Sequence, residues 1–233
     1  MFHGGTNFGF MNGSNYYGKL TADTTSYDYD APLSEDGQMT KKYHAFRKII
    51  KTRLGDDAVP NIDFSTKIEH KNYGKIDWSE CADLFENIER ISEPKKSVVP
   101  LSMEETGQAT GYIMYRTKMN DDECANSLIF KKCADRVQAF DDTKKIFTAC
   151  DKEICSGQHG HWPLTFKEGK SWKIGSGEQA TLSFLVENMG RVNFGHKLEE
   201  QKKGIYDEVL INTHGHYNWE IFNLPLDEAQ IDK

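Results

Sequence analysis

Two carboxylates and two phenols share one short run, Ser26-Tyr27-Asp28-Tyr29-Asp30. Paired carboxyls are the equipment of glycosidic hydrolysis, one serving as acid/base and the other as nucleophile or as base for water. On an extended segment side chains alternate, so Asp28 and Asp30 would share one face and Tyr27 and Tyr29 the other. The two aspartate Cα atoms would then lie roughly 6.5 Å apart. That separation suits catalysis, but the directions do not: a catalytic pair flanks the scissile bond, whereas neighbours on one strand reach it from the same side. Asp28 and Asp30 are therefore assigned to turn capping and to bonds with the glycine-rich backbone. The phenols read differently. A tyrosine at a pocket rim can bond a sugar hydroxyl or support a nearby carboxylate. The run also closes a stretch, Met1 to Leu33, that holds seven aromatic residues among five glycines. Solvated linkers carry few rings, and helices tolerate few glycines. A pyranose has apolar C–H faces and a polar rim, so rings beside hydrogen-bonding groups suit a sugar; the same composition also suits an irregular core edge.

Other chemistry-bearing residues are fewer. Two H-G-H triplets, His159–His161 and His214–His216, could set imidazoles on one side of a strand. They lack further ligands at metal spacing and read as surface turns. The five cysteines (Cys81, Cys124, Cys133, Cys150, Cys155) contain no C-x2-C pair, which argues against zinc. They allow up to two disulfides or none, and Cys150 with Cys155 could close a small loop. Neither a metal nor another cofactor is expected. Asn12-Gly13-Ser14 is both a turn and an N-glycosylation sequon that only a secreted chain could use. In Asn188-Met189-Gly190-Arg191-Val192-Asn193, Gly190 suits a turn and Arg191 could bond carboxylates or carbonyls bidentately, for a ligand or for the fold.

The elements that must position these residues follow from periodicity. Gly4-Gly5 and Gly9 let the backbone turn sharply after a strand end. Met39, Tyr43, Phe46 and Ile50 form one apolar stripe, predicting a helix over 39–53 with Gly55 as its stop. A polar, proline-containing connector follows over 56–75, and a short helix is expected over 79–88, where Ala82 and Phe85 are spaced by three. From about Thr110 onward the texture is β. Strands are expected at 111–117, 128–132, 136–140, 145–148, 180–187, 206–211 and 218–222. Turn signals at Asp141-Asp142, Gly157, Gly175–Gly177 and Gly190 separate them. In 180–187 only Leu185 breaks the alternation. Many short strands at this spacing read as a sandwich or jelly roll.

At 233 residues the chain can hold one large or two small domains. Its net charge of −7 and scattered basic residues argue against nucleic acid as a partner. Its longest apolar runs of four or five residues fall far short of the roughly 20 that a spanning helix needs. Met1-Phe2-His3 shows neither a basic n-region nor an apolar h-region, so no signal peptide is legible; taken literally, that points to the cytosol.

The motifs say more than the composition. HGGTNFGFMNG (His3–Gly13) and TSYDYDAPLSEDG (Thr25–Gly37) resemble glycoside hydrolase family 35, the β-galactosidases of the lysosomal type. The resemblance continues through GYIMYRT (Gly111–Thr117), LVENMGRVNFG (Leu185–Gly195), KGI (Lys203–Ile205) and WEIFNLPL (Trp219–Leu226). It implies a mixed, mainly β chain. Residues 1–55 would be the last strand end and helix of a (β/α)8 barrel, 56–75 a connector, and 76–233 a jelly-roll or galactose-binding-like sandwich. It implies hydrolysis of terminal β-D-galactose by a retaining mechanism, with β-galactoside glycans or glycoconjugates as partners, a homo-oligomer left open, and a lysosomal, vacuolar or extracellular location. In the family both catalytic glutamates precede the HGGTNFG motif, so neither has a counterpart here. The chain is then expected to be a fragment or truncated gene product, inactive alone. Tyr29 matches the tyrosine that binds the terminal galactose; Tyr27 is the second candidate and is expected to be packed. The competing reading is a non-catalytic carbohydrate-binding or structural β module.

Overall fold

The computed structural model describes residues 1–18, 20–62, 70–119, 124–125, 128–149, 164–165, 172–173, 181–196, 198–199, 201–212 and 214–232. The expected turns at Gly157 and Gly175–Gly177, the His159–His161 triplet and the Cys150/Cys155 pair lie outside them. Contacts group the chain into two units, Met1–Phe8 with Thr24–Cys81, and Gly9–Asp23 with Ala82–Lys233.

The first unit is built around α1 (Lys41–Leu54), which covers nearly the expected span. Its start is set by Thr40, whose hydroxyl accepts from the Tyr43 amide and donates to the Pro32 carbonyl at 2.7 Å. Gly55 ends it at φ 91°, a left-handed value that a Cβ would strain. No residue of α1 is buried, and Phe46, Ile49 and Leu54 of its apolar side are 49%, 57% and 72% exposed.

The second unit is β-rich. It opens with a hairpin of β1 (Gly13–Tyr16) and β2 (Leu20–Ala22). Helix α2 (Leu84–Ile91), β3 (Lys95–Ser97), the one-turn helix α3 (Met103–Thr106) and β4 (Tyr112–Lys118) follow. Short strands β5 (Cys124–Ala125), β6 (Leu128–Phe130) and β7 (Cys133–Ala134) lead to the hairpin of β8 (Arg136–Asp141) and β9 (Lys144–Ala149). After β10 (Leu164–Thr165) and β11 (Trp172–Lys173) come β12 (Thr181–Glu187) and β13 (Arg191–Gly195). The chain continues through β14 (Gly204–Ile205), β15 (Val209–Ile211), β16 (His214–His216), β17 (Trp219–Leu224) and α4 (Glu228–Ile231).

The main sheet has the order β3-β17-β4-β12-β8-β9, and its adjacent strands run antiparallel. One face shares a core with β6 and β15 of a second sheet, β10-β6-β15-β16, through Phe130, Phe184, Val209, Ile211, Trp219 and Ile221. Burying each such side chain fully is worth about 1.5–3 kcal/mol. The other face carries α2, whose Ile88 packs with Met114, Phe222 and Leu224. That helix explains Leu185, which packs into the same cluster. A sheet covered on both faces has no solvent side to keep polar.

Several boundaries move for local reasons. The second helix begins at Leu84, later than expected, because the Asp83 carboxylate accepts from the Phe85 and Glu86 amides at 2.8 and 3.1 Å. The strand expected from Tyr206 begins at Val209, since Asp207 sits at φ 81°. The Ser26–Asp30 run is not extended throughout: Ser26 is bridged to Thr6, but Tyr29 and Asp30 take φ of 53° and 52° and form a turn. Among the described residues, no helix is long and apolar enough to cross a membrane.

Candidate functional site

In the first unit the two N-terminal motifs are laid against each other. Thr6 and Ser26 form an antiparallel bridge, His3 and Leu33 a parallel one. The Asn7 amide donates to the Thr25 carbonyl at 2.8 Å and the Tyr27 amide to the Gly5 carbonyl at 2.9 Å. Glycine is required at the seam. A Cβ on Gly4 would stand 2.1 Å from the Tyr27 carbonyl oxygen, and one on Gly5 would stand 2.8 Å from the Tyr27 phenol oxygen. Thus Gly4 and Gly5 serve close approach of the second motif.

Beyond this seam the left-handed turn at Tyr29-Asp30 carries Tyr29 outward. Its side chain is 73% exposed, with its ring 6.2 Å from that of half-buried Tyr27. The turn is tied down by Lys42, which pairs with the Asp30 carboxylate at 2.6 Å and also donates to the Asp30 carbonyl. The neighbouring acids are likewise engaged. Glu35 accepts from Ser26, and Asp36 accepts from Ser34 and pairs with His70 at 3.1 Å. The Ser34 hydroxyl is the main reason the Asp36 carboxyl titrates below its usual range.

The Asn188–Asn193 motif lies in the β-rich unit, and its polar groups are turned to structure. Asn188 donates to the Ala109 carbonyl and accepts from the Gly190 amide, at 2.9 and 3.0 Å. Arg191 donates to the same Ala109 carbonyl at 2.9 Å and pairs with Glu104 at 2.6 Å. Strand β13 then receives β1 in parallel, Gly13 opposite Arg191 and Ser14 opposite Val192. Gly190 stands at φ 119°, and a Cβ there would lie 2.3 Å from the Gly13 carbonyl oxygen. The sequon is consumed by this joint. Asn12 donates to the Met189 carbonyl at 2.9 Å, and buried Ser14 donates to the Gly190 carbonyl at 3.0 Å. The second triplet is strand β16, where His216 bonds the Thr117 hydroxyl at 2.9 Å and its ring meets Trp219. Among the described residues, no cluster of His, Cys, Asp or Glu is arranged to hold a metal.

Two features were not read from the sequence, although Lys203 of the first lies in its KGI motif. Lys203 and Asp135 form a buried ion pair at 2.7 Å, with side chains 2% and 7% exposed, and Asp135 also accepts from the Met189 amide. The other is a groove of about 880 Å³ where β3, β4, β12 and β17 end, lined by Glu89, Arg116, Tyr217 and Glu220 among others. Its residues are up to 131 positions apart in the chain, from Glu89 to Glu220.

Residues 100–225 match the family model described as "Beta-galactosidase, first all-beta domain", and residues 1–53 match "Glycosyl hydrolases family 35". The chain belongs to glycosyl hydrolase family 35. "Beta-galactosidase 8" of Oryza sativa subsp. japonica is 35% identical over 97% of this chain, which spans 34% of that protein. "Beta-galactosidase-1-like protein 2" of Homo sapiens is 31% identical over 98% of this chain and 34% of its own length. "Beta-galactosidase" of Bos taurus is 33% identical over 98% and 33%. The chain thus spans about a third of the length of the curated relatives it matches. The family-35 match covers the segment with the Gly4-Gly5 seam and α1, and the all-β match covers most of the second unit.

Proposed function

We propose that this chain is part of a β-galactosidase that hydrolyses terminal non-reducing β-D-galactose of glycoconjugates by a retaining mechanism, and that Tyr29 contacts the galactose. The observation that carries this reading is the seam at Gly4 and Gly5, which holds the Tyr27–Asp30 turn so that the Tyr29 phenol is presented outward. The names of the relatives supply the substrate class. Retaining hydrolysis requires two carboxyl groups about 5–5.5 Å apart across the bond. The pairing of Asp30 with Lys42 supports the reading that Asp28 and Asp30 do not act as that pair. In this reading residues 1–55 are the closing part of a (β/α)8 barrel, 56–75 a connector and 76–233 a jelly-roll-like domain, and the protein is lysosomal or extracellular.

Two measurements test it. The 233-residue chain incubated with a chromogenic β-galactoside should show no turnover, and turnover by the chain would place catalysis within it. In a β-galactoside-hydrolysing protein that contains this segment, Tyr29→Phe should lower kcat/KM by roughly fivefold to tenfold, the worth of one hydrogen bond to a sugar hydroxyl. An unchanged kcat/KM would remove Tyr29 from the site.

A further inference from the structure

We infer that the groove at the ends of β3, β4, β12 and β17 is a second, non-catalytic binding site for a neutral pyranose ring of a glycan. This goes beyond the reading above and does not depend on it.

The size is right. A cavity of about 880 Å³ lies within the range of small-ligand sites and is roomy enough for one or two sugar rings. The polar groups are right as well. Arg116 pairs with Glu89 at 2.5 Å and with Glu220 at 2.9 Å, and its guanidinium rests 4.7 Å above the Phe222 ring. Partial burial opposes this charge, but the bonds from Glu89 and Glu220 outweigh it, so Arg116 titrates above its ordinary value. Donor and acceptors are therefore held in fixed positions before any ligand arrives, which spares the ordering cost on binding.

Sugar hydroxyls both donate and accept, so they need both kinds of group at once. The Glu89 and Glu220 carboxylates nearly balance the cations of Arg116, Lys96 and Lys118, and Lys96 already approaches Glu220 at 4.0 Å. With net charge small and the arginine matched, an anion gains little here. An apolar surface completes the set. Tyr217 is 48% exposed and Val98 is 62% exposed, both on the lining. The Tyr217 ring packs on the backbone of Gly215, where a Cβ would stand 2.7 Å from the phenol oxygen. A ring so supported can meet the C–H face of a pyranose while the carboxylates take its hydroxyls.

The test is a titration of the full 233-residue chain with lactose, followed by backbone amide NMR. Saturable shifts at Ser97, Tyr217 and Asn218, with a Kd of about 10 mM or tighter, are expected. Tyr217→Ala should weaken binding by about fivefold, whereas Tyr217→Phe, which keeps the ring, should bind as the parent does. Sorbitol, an open-chain polyol, and inorganic phosphate should give no saturable shift at those amides. The proposal is overturned if lactose produces no saturable shift there, if sorbitol or phosphate matches it, or if Tyr217→Ala binds like the parent. Binding abolished by Tyr29→Ala but kept by Tyr217→Ala would belong to the other unit and would overturn it too. The shift map of the unaltered chain decides the matter even if a variant fails to fold.

Discussion

At the scale of single residues, the most deeply buried charged side chain among the described residues is that of Lys203. It lies buried against Asp135, and a buried charge that loses its partner costs about 3–5 kcal/mol. Lys203→Met should therefore destabilise the unit by about that much in urea denaturation, because the Asp135 carboxylate stays behind uncompensated. Adding Asp135→Asn should restore more than half of the loss, since an amide oxygen can still accept from the Met189 amide. If the double variant were no more stable than the single one, the cost would lie in packing instead of charge. The cysteines offer a second residue-scale test. Burial, with Asp135 as a lesser cause, pushes the Cys133 thiol well above its ordinary value, whereas Cys81 is exposed. Iodoacetamide at neutral pH should label Cys81 in the native chain and Cys133 only after unfolding, because the thiolate is the reacting form. Equal native rates at both would contradict the burial.

Among the elements, α3 shows how a short helix is held. The Ser102 hydroxyl accepts from the Glu105 amide at 3.2 Å, while the Glu105 carboxylate accepts from the Ser102 amide at 2.8 Å. The bond from the Ser102 backbone, aided by Lys202, lowers the Glu105 carboxyl below its ordinary value of 4.5. A carboxyl lowered in the fold stabilises fully above its unfolded value and loses that contribution as pH falls through the folded one. The parent should thus exceed Glu105→Gln in urea midpoint by a constant margin above pH 5 or so, a margin that shrinks as pH drops below 4.5. A margin independent of pH would mean that the charge plays no part. The helix α1 behaves otherwise. Its cap and glycine stop are local, but its apolar stripe has no buried member; along its length it is tied by Lys42 to Asp30, by the Tyr43 ring to Phe2 and by Arg47 to the Pro60 carbonyl.

For the molecule as a whole, the contacts place residues 9–23 with the β-rich unit, through the parallel pairing of β1 with β13. Hydrogen exchange should report that division. The amides of Ser14–Tyr16 should be protected to a degree comparable with β12 and β4, while those of α1, with no buried side chain, should exchange faster. Uniform protection from Met1 to Leu54 would contradict it. Phe2, Phe8, Phe46, Ile49 and Leu54 of the first unit are each left exposed, and they should promote association at high concentration.

What the sequence determined by itself was local. A stripe at helical spacing and a glycine stop placed α1. Alternation placed β12, and β-rich texture between turn signals placed β4, β8 and β17, within a residue or two, and the motifs from HGGTNFG to WEIFNLPL carried the family. Each of these signals arises within a dozen neighbouring residues, where periodicity reports which side is buried. Tertiary structure decided the rest. Leu185 broke the alternation because α2 covers the second face of its sheet. The Tyr27–Asp30 run left the extended form at Tyr29-Asp30, just beyond the backbone that approaches Gly4 and Gly5. The sequon residues Asn12 and Ser14 went to a joint with Met189 and Gly190, and Tyr217 came to line one groove with Arg116 and Glu89. Such meetings join residues from twenty to almost two hundred positions apart. They depend on how faces pack and which backbones can approach, and no pattern along one segment records that.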